Sequence, residues 1–60
     1  MTLRQVEDIR VGDVIVINSQ ERLVNDLEIY KGGLVRIQFF RNGKPKTRTY
    51  QFGERVRVTS

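Results

Sequence analysis

The feature that most constrains this chain is how often it is told to turn. Gly12-Asp13, Asn18-Ser19, Gly32-Gly33, Asn42-Gly43 and Gly53-Glu54 leave only short runs between them. Those runs are rich in β-branched and aromatic residues, which fit a pleated, half-buried surface better than a helix. Short strands separated by regular turn signals predict a small antiparallel barrel or sandwich.

The first strand is read over Asp13–Asn18, where Val14, Ile15, Val16 and Ile17 are all β-branched. Ile9 and Val11 lead into it and are expected at the edge of the core. Leu34–Arg41 alternates cleanly, with Val35, Ile37 and Phe39 on one face and Leu34, Arg36, Gln38 and Phe40 on the other. Asn42-Gly43 is a strong hairpin signal, because a type I′ turn needs positive φ at both central residues. The return strand covers Lys46–Phe52, with Pro45 at its start, where a missing amide donor does no harm. Arg55–Thr59 closes the series, with Val56 and Val58 inward and Arg55, Arg57 and Thr59 outward.

Glu21–Tyr30 fits two periodicities. As a helix, Ser19 offers an N-cap, Leu23, Leu27 and Tyr30 share a face, and Gly32 stops it. As a strand, Val24, Leu27 and Ile29 face inward once a bulge at Asn25-Asp26 resets the alternation. The strand is preferred. It pairs with Leu34–Arg41 across the Lys31-Gly32-Gly33 turn and gives a fifth strand to close the sheet. The expected fold is therefore all-β, a five-stranded antiparallel SH3-like barrel filling the single domain 1–60. Its expected core is Val14, Val16, Val24, Leu27, Ile29, Val35, Ile37, Phe39, Tyr50, Phe52, Val56 and Val58.

A chain of 60 residues buries only about 60% of its unfolded surface. Nearly every large apolar residue is needed inside, and little remains to build a deep pocket for a small-molecule substrate. The chain has neither cysteine nor histidine. Disulfides, thiolate chemistry, zinc fingers and histidine acid–base catalysis are thereby excluded. The opening Met-Thr-Leu-Arg-Gln-Val-Glu-Asp has no apolar stretch of the signal-peptide kind. The apolar run Val14–Ile17 is far too short to span a bilayer. The expectation is a cytoplasmic protein with no membrane partner.

The net charge of +4 hides a strong asymmetry. Residues 1–30 hold Arg4, Arg10 and Arg22 against Glu7, Asp8, Asp13, Glu21, Asp26 and Glu28. Residues 31–60 hold Lys31, Arg36, Arg41, Lys44, Lys46, Arg48, Arg55 and Arg57 against Glu54 alone. Such a division predicts an electrostatically polarised surface.

The segment Glu7-Asp8-Ile9-Arg10-Val11-Gly12-Asp13-Val14-Ile15-Val16 resembles the opening of many small SH3-like barrels of bacteria and their phages. The closing pair Val56-Arg57-Val58 resembles the last strand of the same barrels. The wider group includes KOW and Tudor domains and small archaeal chromatin proteins. The resemblance implies an SH3-like fold and a partner that is nucleic acid or protein. The opening also resembles a Hint or intein domain, but the nucleophile such a domain needs at its start is missing, and so is an assisting histidine. SH3 domains that grip proline-rich peptides use an aromatic groove that usually contains tryptophan, and this chain has none.

Nucleic acid is the leading expectation for the ligand. Arg36, Phe40, Arg41, Lys44, Lys46, Arg48, Arg55 and Arg57 are the candidate contacts. They would form a basic sheet face that holds phosphates, with Phe40 as the stacking or wedging residue. The bland alternative is that Lys and Arg protect exposed strand edges or pair with the acidic half. The competing functional reading is a protein-interaction module or homodimer using Leu34, Phe40, Ile15 and Ile17. No cofactor is expected. Glu7, Asp8 and Asp13 lack the spacing of a calcium loop. Tyr30, Phe39, Phe40, Tyr50 and Phe52 are needed in the core rather than in an aromatic cage. No enzymatic activity is expected either. Ser19 and Ser60 have no histidine to activate them, and no Gly-rich loop leads into a helix to cradle a nucleotide.

Overall fold

The computed structural model describes residues 2–59; Ser60, named above, lies outside the described residues. Among them the protein is all-β, with seven strands in two antiparallel sheets. They are β1 (Thr2–Gln5), β2 (Val14–Ile17), β3 (Gln20–Leu23), β4 (Asp26–Tyr30), β5 (Leu34–Arg41), β6 (Lys44–Gln51) and β7 (Arg55–Val58). The first sheet has the order β1-β7-β2-β3 and the second β4-β5-β6.

Strand count and closure differ from the five-stranded barrel expected from the sequence. Thr2–Gln5 forms an additional edge strand, paired with β7 from Thr2↔Val58 to Gln5↔Arg55. The expected strand Glu21–Tyr30 is indeed extended, but it divides between the sheets. Gln20–Leu23 pairs with β2 and Asp26–Tyr30 pairs with β5. The transfer takes two residues. The Val24 N–H donates to the Asp13 carbonyl at 2.8 Å, and the next N–H, of Asn25, donates to the Gln38 carbonyl at 2.8 Å. The backbone hydrogen bonds thus pass from one sheet to the other without an unpaired gap.

Turn chemistry follows the residues. Asn42 and Gly43 have φ of 52° and 76°, the two positive values of the expected hairpin turn. Asn18 and Ser19, at 50° and 65°, make the same kind of turn between β2 and β3. Pro45 is the second residue of β6, an edge strand, opposite Phe40.

The core lies between the sheets. Ile15, Ile17, Val56 and Val58 come from the first sheet and Val35, Ile37, Phe39 and Tyr50 from the second, with Val24 at the corner. Full burial of side chains this size contributes about 1.5–3 kcal/mol each. Val6 and Ile9, on the segment before β2, are fully buried and complete the cluster. Val6 sits in a 3-10 turn, Val6–Asp8, and its N–H donates to the Glu54 carbonyl at 2.8 Å.

Several core expectations are corrected. Ile15 and Ile17, not Val14 and Val16, face inward, so the alternation of β2 is the reverse of that expected. Ile15 lies opposite the buried Val58, and this pairing fixes the phase. Ile29 is 57% exposed, because β4 is an edge strand and nothing covers its end. Phe52 lies beyond β6 and folds over Gly33 instead of entering the core, leaving it 46% exposed. Val11 is 60% exposed in the turn before β2 rather than packed at the core edge.

Candidate nucleic-acid interface

Strand register assigns each basic residue of the β5–β6 hairpin to a face. On the outer face, Arg36, Gln38 and Phe40 lie opposite Thr49, Thr47 and Pro45. On β4 the same face carries Asp26 and Glu28, opposite Gln38 and Arg36. Arg36 Nη2 donates to Glu28 Oε1 at 3.0 Å. The outer face of this sheet therefore holds one guanidinium, already paired, and two carboxylates. It is not the basic face expected from the sequence. Phe40 is exposed there beside Pro45, away from the other cations.

The positive charge is on the other side. Arg41, Lys44, Lys46 and Arg48 share the alternation of Phe39, Ile37, Val35 and Tyr50 and so point toward the gap between the sheets. The core ends at Phe39 and Tyr50, and the hairpin continues past it. Opposite stands the β2–β3 hairpin. Its register sets Arg22 against Ile15 and Gln20 against Ile17, which aims both polar residues into the same gap. The Arg22 guanidinium donates to Gln20 Oε1, which steadies it on that wall.

The result is a groove of about 460 Å³. Its floor is Ile17 and Phe39, and its walls carry Arg22, Arg41, Lys46 and Arg48 with Asn18 and Gln20; Thr47, whose register places it on the outer face, borders it. Arg48 and Asn18 also line a second depression of about 330 Å³, which reaches Arg55 and Arg57. Arg41 and Lys46 also line a third, of about 300 Å³, at the hairpin tip with Lys44. Shared residues thus link the three into one track with seven cations. No carboxylate among the described residues lines any of them. Among the described residues the one ion pair is Arg36–Glu28, so no cation of the track is neutralised at contact distance.

Six of the eight residues singled out in the sequence lie on this track: Arg41, Lys44, Lys46, Arg48, Arg55 and Arg57. Arg36 and Phe40 do not. Arg22, Gln20 and Asn18 were missed. Their signal lies in the two-residue turn Asn18-Ser19, which pairs position 15 with 22 and 17 with 20 once the inward phase of β2 is known.

Four acidic residues of the first half, Glu7, Asp13, Asp26 and Glu28, have structural partners instead. Asp13 Oδ2 accepts from the Arg10 N–H at 2.9 Å, and Glu7 Oε1 accepts from the Gly53 N–H at 3.0 Å. Among the described residues no three potential metal ligands converge. Among the described residues no helix is long and apolar enough to cross a membrane. No family, curated protein or solved structure matches the chain.

What the arrangement offers chemically is anion recognition. Guanidinium forks and ammonium groups supply charge-assisted donors, while amide and hydroxyl side chains add neutral ones. Seven cations with no carboxylate at contact distance repel one another, and a polyanion relieves that repulsion.

Proposed function

We propose that the chain binds nucleic acid along this track, contacting phosphates and reading little of the base sequence. The observation that carries the proposal is the run of seven cations, from Lys44 at the hairpin tip to Arg57 on β7, along which no carboxylate of the described residues intrudes. Weak sequence preference follows because no element presents itself as a reader of base edges in a major groove. We further read the fold as SH3-like. In this reading β2, the bent strand formed by β3 and β4, β5, β6 and β7 are the five strands of that architecture, and β1 is an addition at one edge. The setting we propose is cytoplasmic, where nucleic acid is at hand and a cysteine-free chain needs no oxidising environment.

The test is fluorescence anisotropy with labelled nucleic acids across a salt series. Each neutralised phosphate contributes about −0.7 to the log–log slope on a single strand and about −0.9 on a duplex. Salt-sensitive binding that disappears in the double variant Lys46→Glu/Arg48→Glu supports the proposal. Absence of binding at low salt refutes it.

A second reading, a protein-interaction module, draws on the outer face of the first sheet. Leu3 and Leu23 are each more than half exposed there, with Arg57 of β7 opposite Leu3 on the same face. Val16 and Val14, on β2 between them, lie opposite Glu21 and Leu23. Exposed apolar surface of this kind often marks an interface. Ile15 and Ile17, expected to serve such a surface, are buried and do not. Sedimentation of the wild type beside Leu3→Ser/Leu23→Ser distinguishes this reading: self-association lost in the variant favours it, and two monodisperse monomers count against a homodimer.

A further inference from the structure

We infer, resting on the nucleic-acid reading above, that the ligand of the groove is a single strand in extended form. Its phosphates follow β6 inside the groove and its bases turn outward.

Spacing is the first argument. Lys44, Lys46 and Arg48 occupy alternate positions of β6 and therefore share one face. Alternate residues of an antiparallel strand are roughly 6.8 Å apart, close to the distance between successive phosphates of an extended single strand. The row ends at Tyr50, which is buried and marks where the groove meets the core. A ladder of three cations at this pitch matches consecutive phosphates one to one.

Shape is the second. The cations do not lie on a convex face. Arg22 on β3 and Lys46 and Arg48 on β6 stand on opposite walls of one groove, with Phe39 at its floor. The whole molecule measures 31 × 24 × 18 Å, so a duplex is a rod about as wide as the protein itself. Such a rod meets the rims and cannot descend between walls built from side chains. A single backbone can touch both walls at once.

The groove also lacks a surface for bases. Sequence-tolerant proteins that hold single strands commonly stack bases on exposed aromatic rings. The one aromatic residue of this groove, Phe39, is only 8% exposed, and Tyr50, which lines the second depression, is covered by the Arg48 guanidinium. No ring is open to a base, whereas charged and hydrogen-bonding groups are plentiful. The groove therefore holds backbone, and the bases remain outside it.

The experiment compares the full chain binding to labelled oligo-dT, oligo-rU, and duplex DNA and duplex RNA of equal length. Inorganic polyphosphate serves as the competitor. Single strands bound at least roughly tenfold more tightly than duplexes, alike for dT and rU and displaced by polyphosphate, are the expected result. Lys46→Glu and Arg22→Glu should each abolish that preference, while Arg36→Glu should keep it. Thermal unfolding of each variant checks that the chain is still folded, which matters most for the half-buried Arg22. Equal or tighter binding of duplex overturns this inference and leaves the nucleic-acid reading standing. Failure of all four oligonucleotides at low salt overturns both. Preference for single strands lost in Arg36→Glu, but kept in Arg22→Glu and Lys46→Glu, moves the site to the outer face and overturns the inference.

Discussion

The guanidinium carbon of Arg48 lies 5.6 Å from the centroid of the Tyr50 ring, so the last ring of the core carries the first cation of the groove. The two residues are neighbours on one face of β6, and each serves a different part of the molecule. Tyr50 closes the apolar cluster, and Arg48 belongs to both the main groove and the depression toward Arg55 and Arg57.

Arg48→Ala should therefore separate binding from stability. A partly exposed cation–π contact contributes about 0.5–1 kcal/mol, so thermal unfolding should move only slightly. Affinity for a single-stranded probe should fall clearly, and the salt slope should become shallower by about 0.7. Anisotropy over a salt series, run beside a thermal melt, checks both.

Arg22→Ala and Arg36→Ala should behave oppositely, although both remove one surface charge. Arg22 faces the groove. Arg36 is held by Glu28 on the outer face, in an exposed pair of the kind that contributes about 0–1 kcal/mol. Binding should weaken in the first variant and persist in the second. Titrating the two variants side by side decides it, and the reverse order would place the interface on the outer face.

The phase of β2 can be tested by stability alone. Ile15→Ala removes a fully buried side chain and should destabilise by about 2–5 kcal/mol. A domain of this size holds only about 3–9 kcal/mol in total, so the variant should be barely folded at ambient temperature. Val11→Ala, in the exposed turn just before, should stay within about 0.5 kcal/mol of wild type. Urea titrations of the two report the difference.

Alkaline pH should loosen the fold through Tyr50. Burial raises its phenol above the ordinary value of 10.0; Arg48 nearby opposes this, and Glu54 adds to it. A group whose folded pKa exceeds its unfolded one stabilises fully below the unfolded value and loses that contribution as pH climbs through the folded one. Stability should thus decline above about pH 10, and Tyr50→Phe should flatten the decline. A smaller slope should survive from Tyr30, which is also raised, first by desolvation and then by its hydrogen bond to Glu28. Chemical unfolding across this range, with tyrosinate absorbance followed in parallel, tests the assignment.

Much of the fold was legible because local signals were strong. Leu34–Arg41 was bounded correctly by its alternation, and Asn42-Gly43 made the turn its residues demand. The phase of β2 was not legible. Four consecutive β-branched residues are apolar in both phases, and only the distant partner Val58 chooses between them. Thr2–Gln5 has no alternation of apolar and polar residues to announce a strand; it is one because β7 offers an edge. The site suffered from a related gap. Lys46 and Arg48 share the parity of the interior residue Tyr50, and that parity points them into the gap between the sheets. Treating the basic residues as one outer face overlooked it, and the missed phase of β2 hid Arg22.

The transfer of the chain at Val24-Asn25 has a mechanical meaning for the groove. Arg22 stands just before that corner, in the first sheet, while Lys46 and Arg48 stand in the second. A bound strand touching all three is a tie across the seam of the molecule. Because such a ligand holds only the folded arrangement, each increase in its concentration above Kd raises the free energy of unfolding. In a chain with so thin a core, the occupied state is also the sturdier one.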